Sequence, residues 1–199
     1  MGLSQFFKEY FTTHGGTIVN EQSYSSGDKD FKAQLTSIKS TGPELILASG
    51  YYTEAGLISR QSRQLGLNIP LLGGDGWDSP SLIEVAGDSM EGNFFSNHFS
   101  TEDPSPLIQD FVRKFRAKYN ETPDAMAALG YDSVLILADA IKRAGGTDPG
   151  KLRDAIAVTK DFTGVTGKIT IDEKRNASKS AVILSVKGGA FKFMETVAP

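Results

Sequence analysis

Glu44-Leu45-Ile46-Leu47-Ala48-Ser49 is an apolar run closed at once by Gly50-Tyr51. Short continuous runs of this kind suit a parallel strand with helices on both faces, where neither side of the pleat meets water. The flanking sequence repeats the alternation that such a strand requires. Upstream, residues 17–21 read as a strand, and Asp28 is placed to cap a helix carrying Phe31, Leu35 and Ile38 on one face, broken at Gly42-Pro43. Ahead of these, residues 3–13 form an amphipathic helix with Leu3, Phe6, Phe7, Tyr10 and Phe11 on one stripe, stopped by Gly15-Gly16. Downstream, Thr53 is expected to cap a helix that turns Leu57, Ile58 and Leu65 inward. Residues 68–73 form the next strand, Ser79-Pro80 starts a helix that Gly87 ends, and residues 92–99 form a further strand. Strand–helix–strand units with short links dictate a parallel sheet with right-handed crossovers. The fold class is therefore α/β.

The character changes at Ser100-Thr101-Glu102-Asp103-Pro104-Ser105-Pro106, the strongest boundary in the chain. Three helical patterns follow: residues 107–119, a longer helix opened by Thr122-Pro123 and running to Ala144, and residues 149–158 opened by Asp148-Pro149. The tail returns to strands, at 164–172 and 181–186, with Gly188-Gly189 turning into a last strand over 190–194.

Composition narrows the function classes. The 199 residues are 39% hydrophobic and 23% charged with a net charge of −3, which excludes disorder over the whole chain. The longest wholly apolar stretches, such as residues 134–138, fall far short of the ~20 residues of a spanning helix. An acidic balance without a basic run argues against nucleic acid as a partner. No cysteine is present, so disulfides, thiolate metal sites and cysteine nucleophiles are excluded. No positive segment precedes an apolar one at the N-terminus, so a secretory signal is not expected, and the chain as given is expected in the cytoplasm. Its opening within a helix points to a truncated or internal start.

In an open parallel α/β sheet, ligands bind beyond the carboxyl ends of the strands. The loops that matter are then 21–28, 49–53 and 73–79. The last two offer Tyr51 and Tyr52, the single tryptophan Trp77, and the carboxylates Asp75 and Asp78. Aromatic rings suit an apolar or cationic group and an aspartate suits an ammonium. Asp-Gly after a strand is equally ordinary turn chemistry, and a rim tyrosine is often simple packing. Enzyme signatures are weak. Gly87-Asp88-Ser89 falls between a helix and a strand, the wrong place for a nucleophile turn. His14 and His98 lack metal-ligand spacing, and Gly73-Gly74-Asp75-Gly76 has neither the dinucleotide spacing nor a phosphate-loop lysine. No cofactor, metal site or catalytic residue is expected.

Taken in order, these segments resemble the C-terminal part of a type I periplasmic binding protein of the leucine/isoleucine/valine class. The resemblance rests on Asp28-Lys29-Asp30-Phe31, residues 44–51, Ile58-Ser59-Arg60-Gln61-Ser62-Arg63-Gln64-Leu65-Gly66 and Pro70-Leu71-Leu72-Gly73-Gly74-Asp75-Gly76. Glu91-Gly92, Pro123-Asp124-Ala125 and Gly130-Tyr131-Asp132 complete it. It implies a parallel-sheet, flavodoxin-like lobe plus a partial second lobe, with ligand held between two lobes joined by three crossings. Residues 1–98 would be most of the C-terminal lobe, 99–178 the returning helical part of an incomplete N-terminal lobe, and 179–199 a hairpin crossing back.

By the same resemblance, Tyr51 covers the ligand side chain, Asp75 pairs with the amino group and Met126 is an apolar contact from the other lobe. Tyr52 and Trp77 are added from loop position alone. The implied role is solute capture for an amino-acid ABC importer, with the transporter's membrane subunits as partners of the intact protein. The other readings are a ligand-sensing domain of a receptor or regulator and a small flavodoxin-like enzyme, which would need a strand-end nucleophile or cofactor loop. The family's opening stretch, with its contacts to the ligand carboxylate, has no counterpart here. Weak binding by this chain alone and self-association through uncovered apolar helices are the expected results.

Overall fold

In the computed structural model, which describes residues 2–199, Gly2–Thr13 (α1) and Lys32–Lys39 (α2) precede Ile46–Leu47 (β1). Tyr52–Gln64 (α3) leads to Leu71–Gly73 (β2), and Pro80–Ala86 (α4) to Phe94–Asn97 (β3). The three strands are parallel neighbours, with Ile46 opposite Leu71 and Leu72 opposite Phe94. The sheet continues through Ala181–Lys187 (β7) to Ala190–Val197 (β8), giving the order β1-β2-β3-β7-β8. Gly188 and Gly189, at φ 62° and 68°, turn β7 into β8. Two successive positive φ angles are what a tight two-residue hairpin needs.

Between β3 and that hairpin lie Pro106–Tyr119 (α5), Ala125–Ala144 (α6), Pro149–Ala157 (α7), Phe162–Gly164 (β4), Gly167–Ile171 (β5) and Ala177–Ser178 (β6). The three short strands form their own antiparallel sheet, β4-β5-β6. The chain divides into two units. The first runs to Ser96 and takes in Leu184–Lys192; the second comprises Asn97–Ile183 and Phe193–Pro199.

The first unit is held by fully buried Leu71, Leu82, Met90 and Phe95, and by close helix packing. Gly56 is what lets α3 approach α4, because a Cβ there would stand 2.8 Å from Val85 Cγ1. A polar network fixes the sheet to α3. Arg63 donates to the carbonyls of Leu67 and Ile69, both at 2.6 Å, and to Asn93 Oδ1 at 2.9 Å. Asn93 Oδ1 also accepts the Leu71 N–H at 2.9 Å, which sets the start of β2.

The second unit is built on Phe99, Phe111, Val112, Ala125, Ala128 and Val165, with Phe99 meeting Phe111 edge to face at 5.8 Å. Asp132, 1% exposed on α6, ties that helix to the β4–β5 turn. Its Oδ1 accepts the Val165 N–H at 2.8 Å, and its Oδ2 accepts the Thr166 N–H at 2.8 Å and the Thr166 hydroxyl at 2.7 Å. Gly164 makes room, since a Cβ there would lie 2.5 Å from Asp132 Oδ2.

Several local expectations are corrected. Residues 17–21 are not a strand: they join no ladder among the described residues, and Asn20 and Gln22 turn their side chains to Ser37 instead. Asp28 does not cap α2; its carboxylate accepts the Ser25 N–H at 2.8 Å and closes a turn, and α2 begins after Phe31 with no side-chain cap. Thr53 lies inside α3, which starts from an extended Tyr51. Thr122-Pro123 precedes α6 without opening it; Asp124 caps it by accepting the Ala127 N–H at 2.8 Å. The strand expected over 164–172 is the end of β4 and all of β5, separated by a turn at Val165-Thr166. The expected caps Ser79 and Asp148 hold, accepting the N–H of Ser81 and of Lys151.

Candidate functional site

β1 and β2 end side by side, and the loops that leave them carry four of the five candidate residues. The first, Ser49-Gly50-Tyr51, bends at Gly50, whose φ of 139° suits glycine. Tyr24 pins this bend by donating its hydroxyl to the Ser49 carbonyl at 2.6 Å. The second loop passes through a short 3-10 turn, Asp75–Trp77. The two loops lie against each other: a Cβ on Gly76 would stand 2.5 Å from the Gly50 carbonyl oxygen and 3.1 Å from Tyr51 Cδ1. Loop 21–28 joins them through Glu54, 7% exposed, which accepts the Gly27 N–H at 2.8 Å. The Ser4 and Ser49 hydroxyls, 2.8 Å apart, add the first turn of α1.

The electrostatics follow from that packing. Burial, reinforced by the nearby Glu54 carboxylate, raises the pKa of Tyr24 and keeps its hydroxyl protonated as a donor. Tyr51 is 69% exposed and Tyr52 37%, and the Asp75 side chain is exposed as well. The first unit thus presents two aromatic rings and a carboxylate from adjoining strand ends, an arrangement suited to an apolar group bearing an ammonium.

Trp77 stands apart from its loop neighbours. Its ring has no exposed surface and lies under the turn, packed close on Gly73, where no Cβ could fit, with its centroid 6.0 Å from that of Phe95. Its buried Nε1 has no hydrogen-bond partner among the described residues. Met126 belongs to the second unit, in the first turn of α6, and is 59% exposed.

Sequence reading gave no role to the residues that shape these loops: Tyr24 and Glu54, and the glycines Gly50 and Gly76 that it quoted only as parts of motifs. The signals were faint. A glycine after an apolar strand and a glutamate in the first turn of a helix are common for other reasons. Among the described residues, no group of three or more His, Asp or Glu side chains could hold a metal ion, and no helix is long and apolar enough to cross a membrane.

The chain matches the periplasmic binding protein family model over residues 2–190. It is 34% identical over 159 residues to Leu/Ile/Val-binding protein homolog 3 of Brucella melitensis, covering 80% of this chain and 41% of that protein. It is 30% identical over 174 residues to the leucine-, isoleucine-, valine-, threonine- and alanine-binding protein of Pseudomonas aeruginosa, covering 87% and 46%. The chain therefore spans about half the length of the curated relatives it matches. Among solved structures, a leucine-binding protein of Thermotoga maritima superposes with a TM-score of 0.92 at 44% identity, covering 100% of this chain and 57% of that one. A branched-chain amino acid transporter substrate-binding protein of Streptococcus pneumoniae, in complex with isoleucine, gives 0.86 at 37% identity, covering 100% and 56%. An α/β chain whose parallel strand ends gather aromatic and acidic side chains, matched almost throughout by one family and superposing on its solved members, belongs to the periplasmic binding proteins.

Proposed function

We propose that this chain is the C-terminal part of a substrate-binding protein of an amino-acid ABC importer, and that its strand-end loops are one wall of the amino-acid site. The observation that carries the reading is the direct packing of the Gly50-Tyr51 bend on the Asp75–Trp77 turn. It sets an exposed ring and an exposed carboxylate on one rim, the complement of an aliphatic amino acid's side chain and ammonium. Tyr51 covers the side chain, Asp75 pairs with the ammonium, and Tyr52 flanks them. Trp77 supports the turn from beneath, and Met126 contributes an apolar contact from the second unit. The isoleucine complex of the Streptococcus pneumoniae relative and the leucine-binding Thermotoga maritima relative support the ligand class.

In this reading residues 1–98 are most of the C-terminal lobe, 99–178 the returning part of the N-terminal lobe, and 179–199 the crossing hairpin. The intact protein captures its ligand in the periplasm by closing two lobes, and delivers it to the membrane subunits of the transporter without chemical change. One wall alone cannot desolvate a zwitterion, and a carboxylate on an open rim gains little from an ion pair. The chain by itself therefore binds weakly, and it self-associates through apolar side chains exposed on α6. Calorimetric titration with leucine, isoleucine and valine tests this, run on this chain and on the same chain extended by the corresponding first half of the Thermotoga maritima protein. Binding by the extended protein alone supports the reading. Equal affinity in both, or none in either, overturns it.

A further inference from the structure

Among the described residues, the buried polar side chains of the first unit are paired, with one exception. Gln61 accepts the Phe31 N–H at 2.7 Å and donates to the Lys29 carbonyl at 2.8 Å. Asn93 accepts from Arg63 and from the Leu71 N–H, both at 2.9 Å. The exception is Trp77, whose Nε1 is the one buried side-chain nitrogen or oxygen with no hydrogen-bond partner among the described residues. The ring lies on the bare Cα of Gly73 and beside Phe95, which meets Phe191 edge to face at 5.0 Å, and the two phenyl rings offer no acceptor. Because the indole has no exposed surface within this chain, no added segment reaches it while the turn above stays down.

An unpaired buried donor forfeits the hydrogen bond that water would supply. The docked turn therefore carries a penalty that disappears once the indole meets water. The chain around it is also easily released. Residues 73–76 read Gly73-Gly74-Asp75-Gly76, and glycine gains more backbone freedom on release than any other residue. The turn is three residues long, tied by the Trp77 N–H to the Gly74 carbonyl at 3.0 Å and by the Asp78 N–H to the Asp75 carbonyl at 3.1 Å. Against release stands the apolar area of the ring. Lifting the turn uncovers that one ring, whereas unfolding the unit also exposes Leu71, Leu82, Met90 and Phe95. The turn is thus the opening of lower free energy.

We propose that residues 75–77 form a strap that opens on its own, lifting Trp77 into water and withdrawing Asp75 from the rim, and that a bound amino acid holds it shut. Only the last clause rests on the amino-acid reading. Pairing of a ligand ammonium with Asp75 is available in the shut state alone, so binding shifts the strap toward that state and opening lets the ammonium go.

Hydrogen exchange followed by NMR on the 199-residue protein tests the strap. The reporters are the Trp77 indole N–H and the backbone N–H groups of Trp77 and Asp78. The references are the Leu71 and Val186 N–H groups, both held by Asn93 in the same unit. Relative to their intrinsic rates, the reporters should exchange about tenfold faster than the references or more, with one shared opening equilibrium. Replacing Trp77 by benzothienylalanine keeps the ring shape and puts sulfur where the N–H was. The two backbone reporters should then slow about tenfold, within the penalty of an unpaired buried donor. Gly76→Ala, which pushes the turn off the Gly50 carbonyl, should speed all three. In the extended protein, saturating leucine should slow them. Reporters that exchange no faster than Leu71 and Val186 overturn the strap, because the turn then opens only with the whole unit. Backbone reporters unmoved by the sulfur analogue overturn the role of the unpaired donor. An extended protein that binds leucine with reporter exchange unchanged overturns the ligand's hold on the strap, whereas one that binds no leucine overturns the amino-acid reading.

Discussion

A Cβ on Gly76 would lie 2.5 Å from the carbonyl oxygen of Gly50, so these two residues hold the candidate loops at a separation that no other side chain permits. Gly76→Ala must push the Asp75–Trp77 turn off the Gly50-Tyr51 bend. Strain of this kind typically costs about 1–3 kcal/mol. Urea unfolding should show a loss of that size, and leucine binding by the extended protein should fall. Unchanged stability and affinity would mean that the loops tolerate separation.

Tyr24 gives the first unit an alkaline limit. Its pKa is raised above the ordinary 10.0 by burial and by Glu54, so the unfolded chain gives up this proton more readily than the folded one. The sign follows from linkage: the stabilising contribution is complete below pH 10 and is lost as pH rises through the higher folded value. Tyr24→Phe removes the 2.6 Å bond to the Ser49 carbonyl, at a cost of about 1 kcal/mol at neutral pH. It should also flatten the fall in stability above pH 10. Thermal unfolding of both proteins between pH 7 and pH 11 measures this, and parallel curves would remove Tyr24 from the account.

Asp75 is expected to matter for ligand more than for folding. In the extended protein, with both walls present, Asp75→Ala should weaken leucine binding by about 2–5 kcal/mol, as when one partner of a buried charge pair is removed. Its unfolding midpoint should move little, because the side chain is exposed in the first unit. An unaltered leucine affinity would exclude Asp75 from the site.

On α6, Val134 is 64% exposed and Leu137 41%. Soluble proteins rarely leave such stripes uncovered. Sedimentation of the chain alone should show concentration-dependent association that Val134→Glu suppresses. A chain that stays monomeric at all concentrations and takes up little apolar dye would contradict this.

The parallel strands and helices were legible because their signals are local and agree with one another. Residues 46–47 and 71–73 sit inside apolar runs, Ser79-Pro80 is a cap followed by a helix-compatible proline, and Gly188-Gly189 can hardly be anything but a turn. Residues 17–21 also hold an apolar pair, Ile18-Val19, but join no strand among the described residues, and strand formation depends on such a neighbour. Asp28 and Thr53 have capping side chains, yet a cap also needs the helix to begin at the next residue, and packing starts α2 and α3 elsewhere. β6 depends on a turn in which Asp172 Oδ1 accepts the N–H groups of Lys174 and Asn176, an arrangement that residue type alone does not announce. The loops carrying Tyr51 and Asp75 could be placed at adjoining strand ends because each follows an apolar run that forms a parallel strand. The burial of Trp77 could not, since nothing in its loop tells whether the ring faces out or down.

Trp77 is the only tryptophan in the chain, and it sits in the first unit beneath the Asp75 turn. Indole fluorescence is therefore a clean optical gauge of that unit, blue-shifted while the ring stays dry and moving to the red once the turn lifts and water reaches it. The second unit has no indole, so a melt recorded by circular dichroism that departs from the fluorescence melt would resolve the two halves in a single unlabelled sample.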